Sequence, residues 1–217
     1  MTLQPDPREV YAFMDPAEDL ARARKHELVR EVKRLIDLTA HIDVERADRD
    51  ELAQLAEDAA LLADRLDPLP SLLERGGMAA SNGPQGALLD RSGISGRANP
   101  LAPPMQWHPD GDILRGWATY SPAYEGPIGN VHGGFVAAAF DDLMGMAQMA
   151  SGSAGYTGTL TVKMLRPTPL GKRIDYEAGV ERVDGRKIYV WARSRDADTL
   201  LAEAQIVFIA PKAGMPR

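Results

Sequence analysis

Between Val131 and Ala150 the chain reads VHGGFVAAAFDDLMGMAQMA, apolar almost all round at helical spacing, with adjacent carboxylates, Asp141 and Asp142, at its middle. A helix apolar on every side belongs inside a protein. Around it the period changes to two. Ile113–Ser121 is a plausible strand ahead of the helix, which is expected from Phe135 to about Ala150. In Gly158–Arg166, Leu160, Val162 and Met164 face one way and Thr159, Thr161 and Lys163 the other. Ile174, Tyr176, Ala178 and Val180 mark the next strand, and Lys187–Arg195 and Leu201–Ala210 follow. Asp184-Gly185 predicts a two-residue hairpin turn, because these residues tolerate positive φ. One buried helix and a long antiparallel meander imply an α+β architecture, a sheet wrapped around a central helix. Such a sheet leaves open edges, so pairing across a two-fold axis into a dimer is expected.

The N-terminal third has a different pattern, charged and helical. Asp15-Pro16-Ala17-Glu18 supplies a cap, a first-turn Pro and a capping-box Glu, and Leu28, Val32, Leu35 and Ile36 form an apolar stripe. Asp48-Arg49-Asp50-Glu51 repeats the cap signal, and Leu52, Leu55, Ala56, Ala59, Leu62 and Leu66 follow until Pro68. The two helices are expected as an amphipathic hairpin that packs on its own domain or on a second subunit. From Asp67 to Pro104 the chain is rich in Pro, Gly, Ser and Asn, with GGMAASNGPQG the plainest linker. It reads as a boundary, a strap or a substrate cover. The expected division is a helical extension over 1–70, a linker over 71–103 and the α+β domain over 104–217.

Composition narrows the chemistry. The absence of Cys removes disulfides, thiolate nucleophiles and Cys-type zinc sites, and agrees with a reducing, cytoplasmic setting. A formal charge of -6 argues against a nucleic-acid partner, and no apolar run reaches membrane-spanning length. SGISG and SGSAG lack the spacing of a serine-hydrolase elbow, and no phosphate-cradling glycine loop is present. His41-Ile42-Asp43-Val44-Glu45 reads as a solvated helix end, and no metal site is expected.

The central segment carries chemistry. Two Gly residues at the helix start leave its backbone N–H groups bare, at the end of a helix that attracts negative charge. Asp141 and Asp142 are candidate acid/base groups, since a carboxylate in such surroundings is costly without a purpose. They sit about 100° apart round the helix, so they cannot share a role. Met144, Met146 and Met149 read as adaptable core.

EGPIGNVHGG (125–134), Asp141 nine positions after His132, Gly145, and TGTLTVKMLRPTPLG (157–171) together resemble the PaaI-like branch of the hotdog-fold acyl-CoA thioesterases. The resemblance covers about Pro104 to Pro211. It implies a hotdog fold with an N-terminal helical extension, and hydrolysis of acyl-CoA thioesters without a metal or other cofactor, CoA being part of the substrate. It assigns the backbone N–H groups of Gly133 and Gly134 to the thioester carbonyl, Asp141 to general base or nucleophile, and Thr157 to orienting water or carboxylate. His132 either positions substrate or fixes the turn. Asn130 is a further substrate-side candidate. Arg166, Lys172 and Arg173 are candidates for CoA phosphates, or else solvated loop charges. His132 and Asp141 are about 13 Å apart along one helix. The resemblance resolves this distance with a homodimer, or a dimer of dimers, that builds each site from two chains. Many relatives carry an Asn six residues before the His, where this chain has Gly126. A non-catalytic acyl-CoA-binding module is the alternative, and an enoyl-CoA hydratase a more distant one.

Overall fold

The structure, a computed structural model, describes residues 20–71, 90–152 and 155–212. The cap signal at Asp15–Glu18 and the GGMAASNGPQG segment lie outside the described residues. Among the described residues, helices α1 (Leu20–Ala40), α2 (Arg49–Leu66) and α3 (Gly133–Ala147) accompany six strands. The strands are β1 (Met105–Asp110), β2 (Ile113–Thr119), β3 (Tyr156–Met164), β4 (Arg173–Asp184), β5 (Lys187–Asp196) and β6 (Thr199–Ile209). They form one antiparallel sheet in the order β1-β2-β4-β5-β6-β3. This is the expected hotdog arrangement, with α3 packed against one face of the sheet.

Alternation along the strands builds the core. Ile174, Tyr176 and Ala178 of β4, Val190 and Ala192 of β5, and Ala204 and Ile206 of β6 are buried on the face toward α3. From the helix, Val136, Ala139, Phe140, Leu143 and Met144 fill the space opposite. Removing a side chain such as Phe140 or Leu143 from water contributes about 1.5–3 kcal/mol each. The run of Ala residues on the sheet allows the helix to lie close. Helix α3 ends at Ala147, and a 3-10 turn over Gln148–Ser151 completes the expected length.

Two local details depart from the sequence pattern. β1 contains Pro109 and lies at the sheet edge, where the missing N–H takes no ladder bond from a neighbour. In the β4–β5 hairpin, Asp184 is still paired with Lys187, so the turn residues are Gly185 and Arg186. The expected turn is thus displaced by one residue.

The N-terminal helices form, and among the described residues no extended contact joins them. α1 docks through His26 and Val29, both buried, while Leu35 and Ile36 of the expected stripe stay 49% and 38% exposed. Polar contacts select that face. His26 Nε2 lies 2.7 Å from Asp90 Oδ1, and the Ala123 N–H donates to Asp37 Oδ1 at 3.3 Å. α2 is capped by Asp48, whose side chain accepts from the N–H groups of Asp50 and Glu51, yet the helix buries none of its residues. His41, at the end of α1, hydrogen-bonds through Nδ1 to the Asp37 carbonyl.

Candidate active site

Residues 121–135 form the approach to α3. Pro127–Asn130 is a tight turn closed by the Asn130 N–H on the Pro127 carbonyl, and Glu125 folds back to accept from the Gly129 N–H at 2.6 Å. The Asn130 side chain donates to the Ile128 carbonyl, so its amide supports this turn. A Cβ on Gly126 would lie 2.6 Å from His132 Cα. The backbone here packs directly against the His, and a side chain at position 126 does not fit this path.

His132 is the N-cap of α3, and its Nδ1 accepts the Gly134 N–H at 3.0 Å. With Nδ1 accepting, Nε2 is the ring nitrogen left to donate. Phe135 N–H donates to the His132 carbonyl. Gly133, the first helical residue, has no intrahelical acceptor for its N–H. Of the two expected donors, one is thus engaged by the cap and Gly133 is the one left at the positive end of the helix. The turn rests on an aromatic chain. Phe135 meets Tyr124 edge-on at 4.9 Å, Tyr124 meets Tyr120 at 5.9 Å, and the Tyr120 hydroxyl lies 2.9 Å from that of Tyr176. Burial pushes both core tyrosines, Tyr120 and Tyr176, well above the ordinary phenol value.

Two turns further along α3, the adjacent carboxylates diverge as their 100° separation requires. Asp141, half-buried, accepts from Thr157 Oγ1 at 3.0 Å. Thr157 reaches it because of a β-bulge. Thr157 pairs with buried Phe208 and Leu160 with buried Ile206, although residues three apart in a regular strand face opposite ways. The register shift between Thr157 and Thr159 keeps both on the inner face, a typical use of a bulge beside a site.

Asp142 points elsewhere. Its Oδ1 accepts from Ser92 Oγ at 2.7 Å, and its Oδ2 accepts from Ser95 Oγ at 2.5 Å and from Trp107 Nε1 at 3.3 Å. Trp107 can lie flat here only because its cross-strand partner is Gly116, where a Cβ would collide with the indole ring. Ser92, Ser95 and Trp107 were not evident in the sequence as a group. The signal was the SGIS spacing, in which one hydroxyl also accepts the N–H groups of Ile94 and Ser95. Residues 90–103 are thereby strapped across the central helix, with Ala98 and Ala102 buried.

The two halves of the expected site lie at opposite ends of β3. Thr157 and Asp141 are at its start. At its end, Met164 packs against Gly133, with Cε 3.1 Å from where a Cβ would stand. Gly133 and Asp141 stand eight residues apart on α3, about 12 Å along its axis. Within one chain they do not meet. Arg166, Lys172 and Arg173 share the Gly133 end, each with a partner of its own. Arg166 donates to the Leu200 carbonyl, Lys172 pairs with Asp196, and Arg173 pairs with Asp175 while lying 4.5 Å over the Trp117 ring. All three are exposed, so these pairs are screened and exchangeable with an incoming anion. β3 itself is a sheet edge, and apart from half-buried Leu160 and Val162 its residues are exposed. Among the described residues no cluster of potential metal ligands occurs, and no helix is long and apolar enough to cross a membrane.

Residues 128–207 match the family described as the Thioesterase superfamily. The chain is 36% identical over 90 residues to acyl-coenzyme A thioesterase THEM4 of Xenopus laevis, covering 41% of this chain and 40% of that protein. It is 31% identical over 90 residues to acyl-coenzyme A thioesterase THEM5 of Mus musculus, covering 41% of this chain and 36% of that protein. The chain thus matches well under half the length of these relatives. The crystal structure of a thioesterase superfamily protein superimposes with a TM-score of 0.73 at 27% identity, covering 85% of this chain and 94% of that one. That coverage exceeds what residues 104–217 alone could supply, so the superposition takes in part of the N-terminal extension. The fold, the matched segment and the His-Gly-Gly helix start agree: the C-terminal half of this chain has a hotdog fold, and its residues 128–207 are similar to the thioesterase superfamily.

Proposed function

We propose that the protein hydrolyses acyl-CoA thioesters to a free carboxylic acid and CoA, at a site shared between two copies of the chain. The observation that carries this reading is the Thr157–Asp141 pair at one end of an exposed edge strand, with the open Gly133 N–H at the other end. If β3 pairs antiparallel with β3 of a second chain about a dyad, the end of one strand meets the start of the other. Gly133 of one protomer then faces Asp141 and Thr157 of its partner. The same pairing satisfies the backbone groups of an otherwise open edge.

In this reading the thioester carbonyl oxygen lies at the Gly133 N–H. A donor aimed at the developing oxyanion contributes about 3–4 kcal/mol to lowering the barrier. Asp141 of the partner either takes a proton from the attacking water or itself attacks the carbonyl carbon, forming a mixed anhydride that water opens. In both routes the C–S bond breaks and the CoA sulfur leaves as thiolate, which takes up a proton. Thr157 holds the carboxylate by its hydroxyl, and His132 fixes the donor turn through its cap. Arg166, Lys172 and Arg173, on the Gly133 side, attract the phosphates of CoA. No step calls for a metal or redox group.

Thiol release from a panel of acyl-CoAs tests the proposal. Wild-type protein turns over at least one member, and Asp141→Asn lowers the rate by about 10²–10⁴ with unchanged folding. A protein whose melting temperature rises with acyl-CoA but which releases no thiol is a binding module, and the reading fails.

A further inference from the structure

The helices α1 and α2 carry two matched seams, exposed at Leu35 and Thr39 of α1 and at Leu55 and Ala59 of α2. α1 docks on the domain through His26 and Val29, with Lys33 half-buried, on one side. On the opposite side Leu28, Val32, Leu35 and Thr39 run at spacings of four, three and four. On α2, Leu52, Leu55, Ala59, Leu62 and Leu66 run at three, four, three and four, and no residue of this helix is buried. Such alternate spacing is the narrow seam of a two-helix coiled coil rather than the broad stripe of a helix on a globular core. Along these seams Leu35 and Leu55 are about half exposed, while Leu28, Val32, Leu52, Leu62 and Leu66 are partly buried. Apolar side chains gathered in this way mark an interaction site.

Charge identifies the occupant. α1 carries six basic and three acidic residues, and α2 two basic and five acidic. The helices are therefore of opposite net charge, +3 and −3, while among the described residues α2 makes no extended contact with α1 of its own chain. Among the described residues, the ion pairs within α1 are short-range, Arg24 with Glu27 and Arg34 with Glu31, and no ion pair joins α1 to α2. A second copy of the same chain offers each helix the complementary seam and the complementary charge.

We propose that α2 of one protomer packs along the outward seam of α1 of a second copy, and reciprocally, so that the N-terminal helices form an intermolecular bundle distinct from any β3 pairing. By two-fold symmetry the contact occurs twice, α1 on α2 and α2 on α1. Opposite net charge sets which helix meets which, since like helices repel, and it speeds encounter.

The lack of Cys makes the test direct, because an introduced thiol is the only one in the chain. Leu35→Cys and Leu55→Cys are made in full-length chains of different tag length, mixed, and treated with a short bismaleimide. The proposal expects most of the reacted protein as a mixed covalent dimer, the yield falling as salt is raised. Leu35→Cys alone or Leu55→Cys alone should give little dimer. The double variant in one chain should also link between chains. A link within one chain, homodimers from the single variants, or no link in any mixture would each overturn the assignment. Both positions are half-exposed, so neither substitution opens a cavity in the core. The readout is independent of thioester hydrolysis and of whether β3 pairs.

Discussion

Asp141 and Asp142 are chemically identical neighbours that should fail in different ways when changed. Asp142→Ala removes the acceptor of Ser92, Ser95 and Trp107 at 2.7, 2.5 and 3.3 Å. A hydrogen bond to a charged group is worth about 1.5–3 kcal/mol. These groups are only partly buried, so water recovers part of the loss, and about 3 kcal/mol in total is a fair expectation. For a chain of this size that lowers Tm by about 6–12 °C. Asp142→Asn keeps one carbonyl acceptor and should lose about half as much. Asp141→Asn gives up only part of its one bond to exposed Thr157, so stability should stay within about 0.5 kcal/mol. Urea unfolding of the three variants, with m compared to confirm a common unfolded state, measures this beside thiol release. The expected pattern is a stable, inactive Asp141→Asn and an unstable Asp142→Asn that still turns over substrate below its Tm. A fully stable Asp142→Asn without activity would refute the assignment of the anchor and the reactive carboxylate.

Other consequences follow from the fold. The β5–β6 turn holds Ala197 at φ 49°, a left-handed conformation that a Cβ disfavours. Ala197→Gly should therefore raise stability by about 0.5–1 kcal/mol after the loss of unfolded-state restriction, seen as a Tm about 2 °C higher. Tyr176→Phe leaves the Tyr120 hydroxyl buried without its partner and should cost about 1–3 kcal/mol, whereas Phe at both positions should recover most of it in a double-mutant cycle. Burial raises both phenols above their unfolded value of about 10, so their contribution is intact below that pH and is lost as pH rises beyond it. Wild-type Tm should accordingly fall more steeply above pH 10 than that of the double Phe variant.

What the sequence reveals depends on the range of the interaction. The central helix and β3 to β6 are legible because each buries a face on a fixed period, and period is local. β1 is missed because Pro109 disguises a strand that only its edge position permits. The docked face of α1 is missed because the most apolar stripe is not the one used. His26 and Asp37 select the face through Asp90 and Ala123, partners 64 and 86 residues away. Asp141 and Thr157 are nameable from the motif, but the bulge that aims Thr157 inward exists only in the pairing with β6. The separate role of Asp142 could be anticipated from its angle round the helix, and its partners Ser92, Ser95 and Trp107 could not.

The central claim is that two chains contribute to each site, and mixed dimers test it most directly. Asp141→Asn removes the carboxylate. Gly133→Pro removes the donor N–H, and the position suits Pro, being the first residue of the helix and preceded by His132 at φ −61°, ψ 131°. A Cβ at this position meets the flexible end of Met164. Each variant alone should be folded and inactive. Mixed in equal amounts and allowed to exchange, half the dimers are mixed, and each of these has one intact site of two. Recovered activity should approach about a quarter of the native value under two-fold symmetry. Complete exchange, verified with tagged chains, and no recovered activity would mean that one chain carries the whole site, and the account would be wrong.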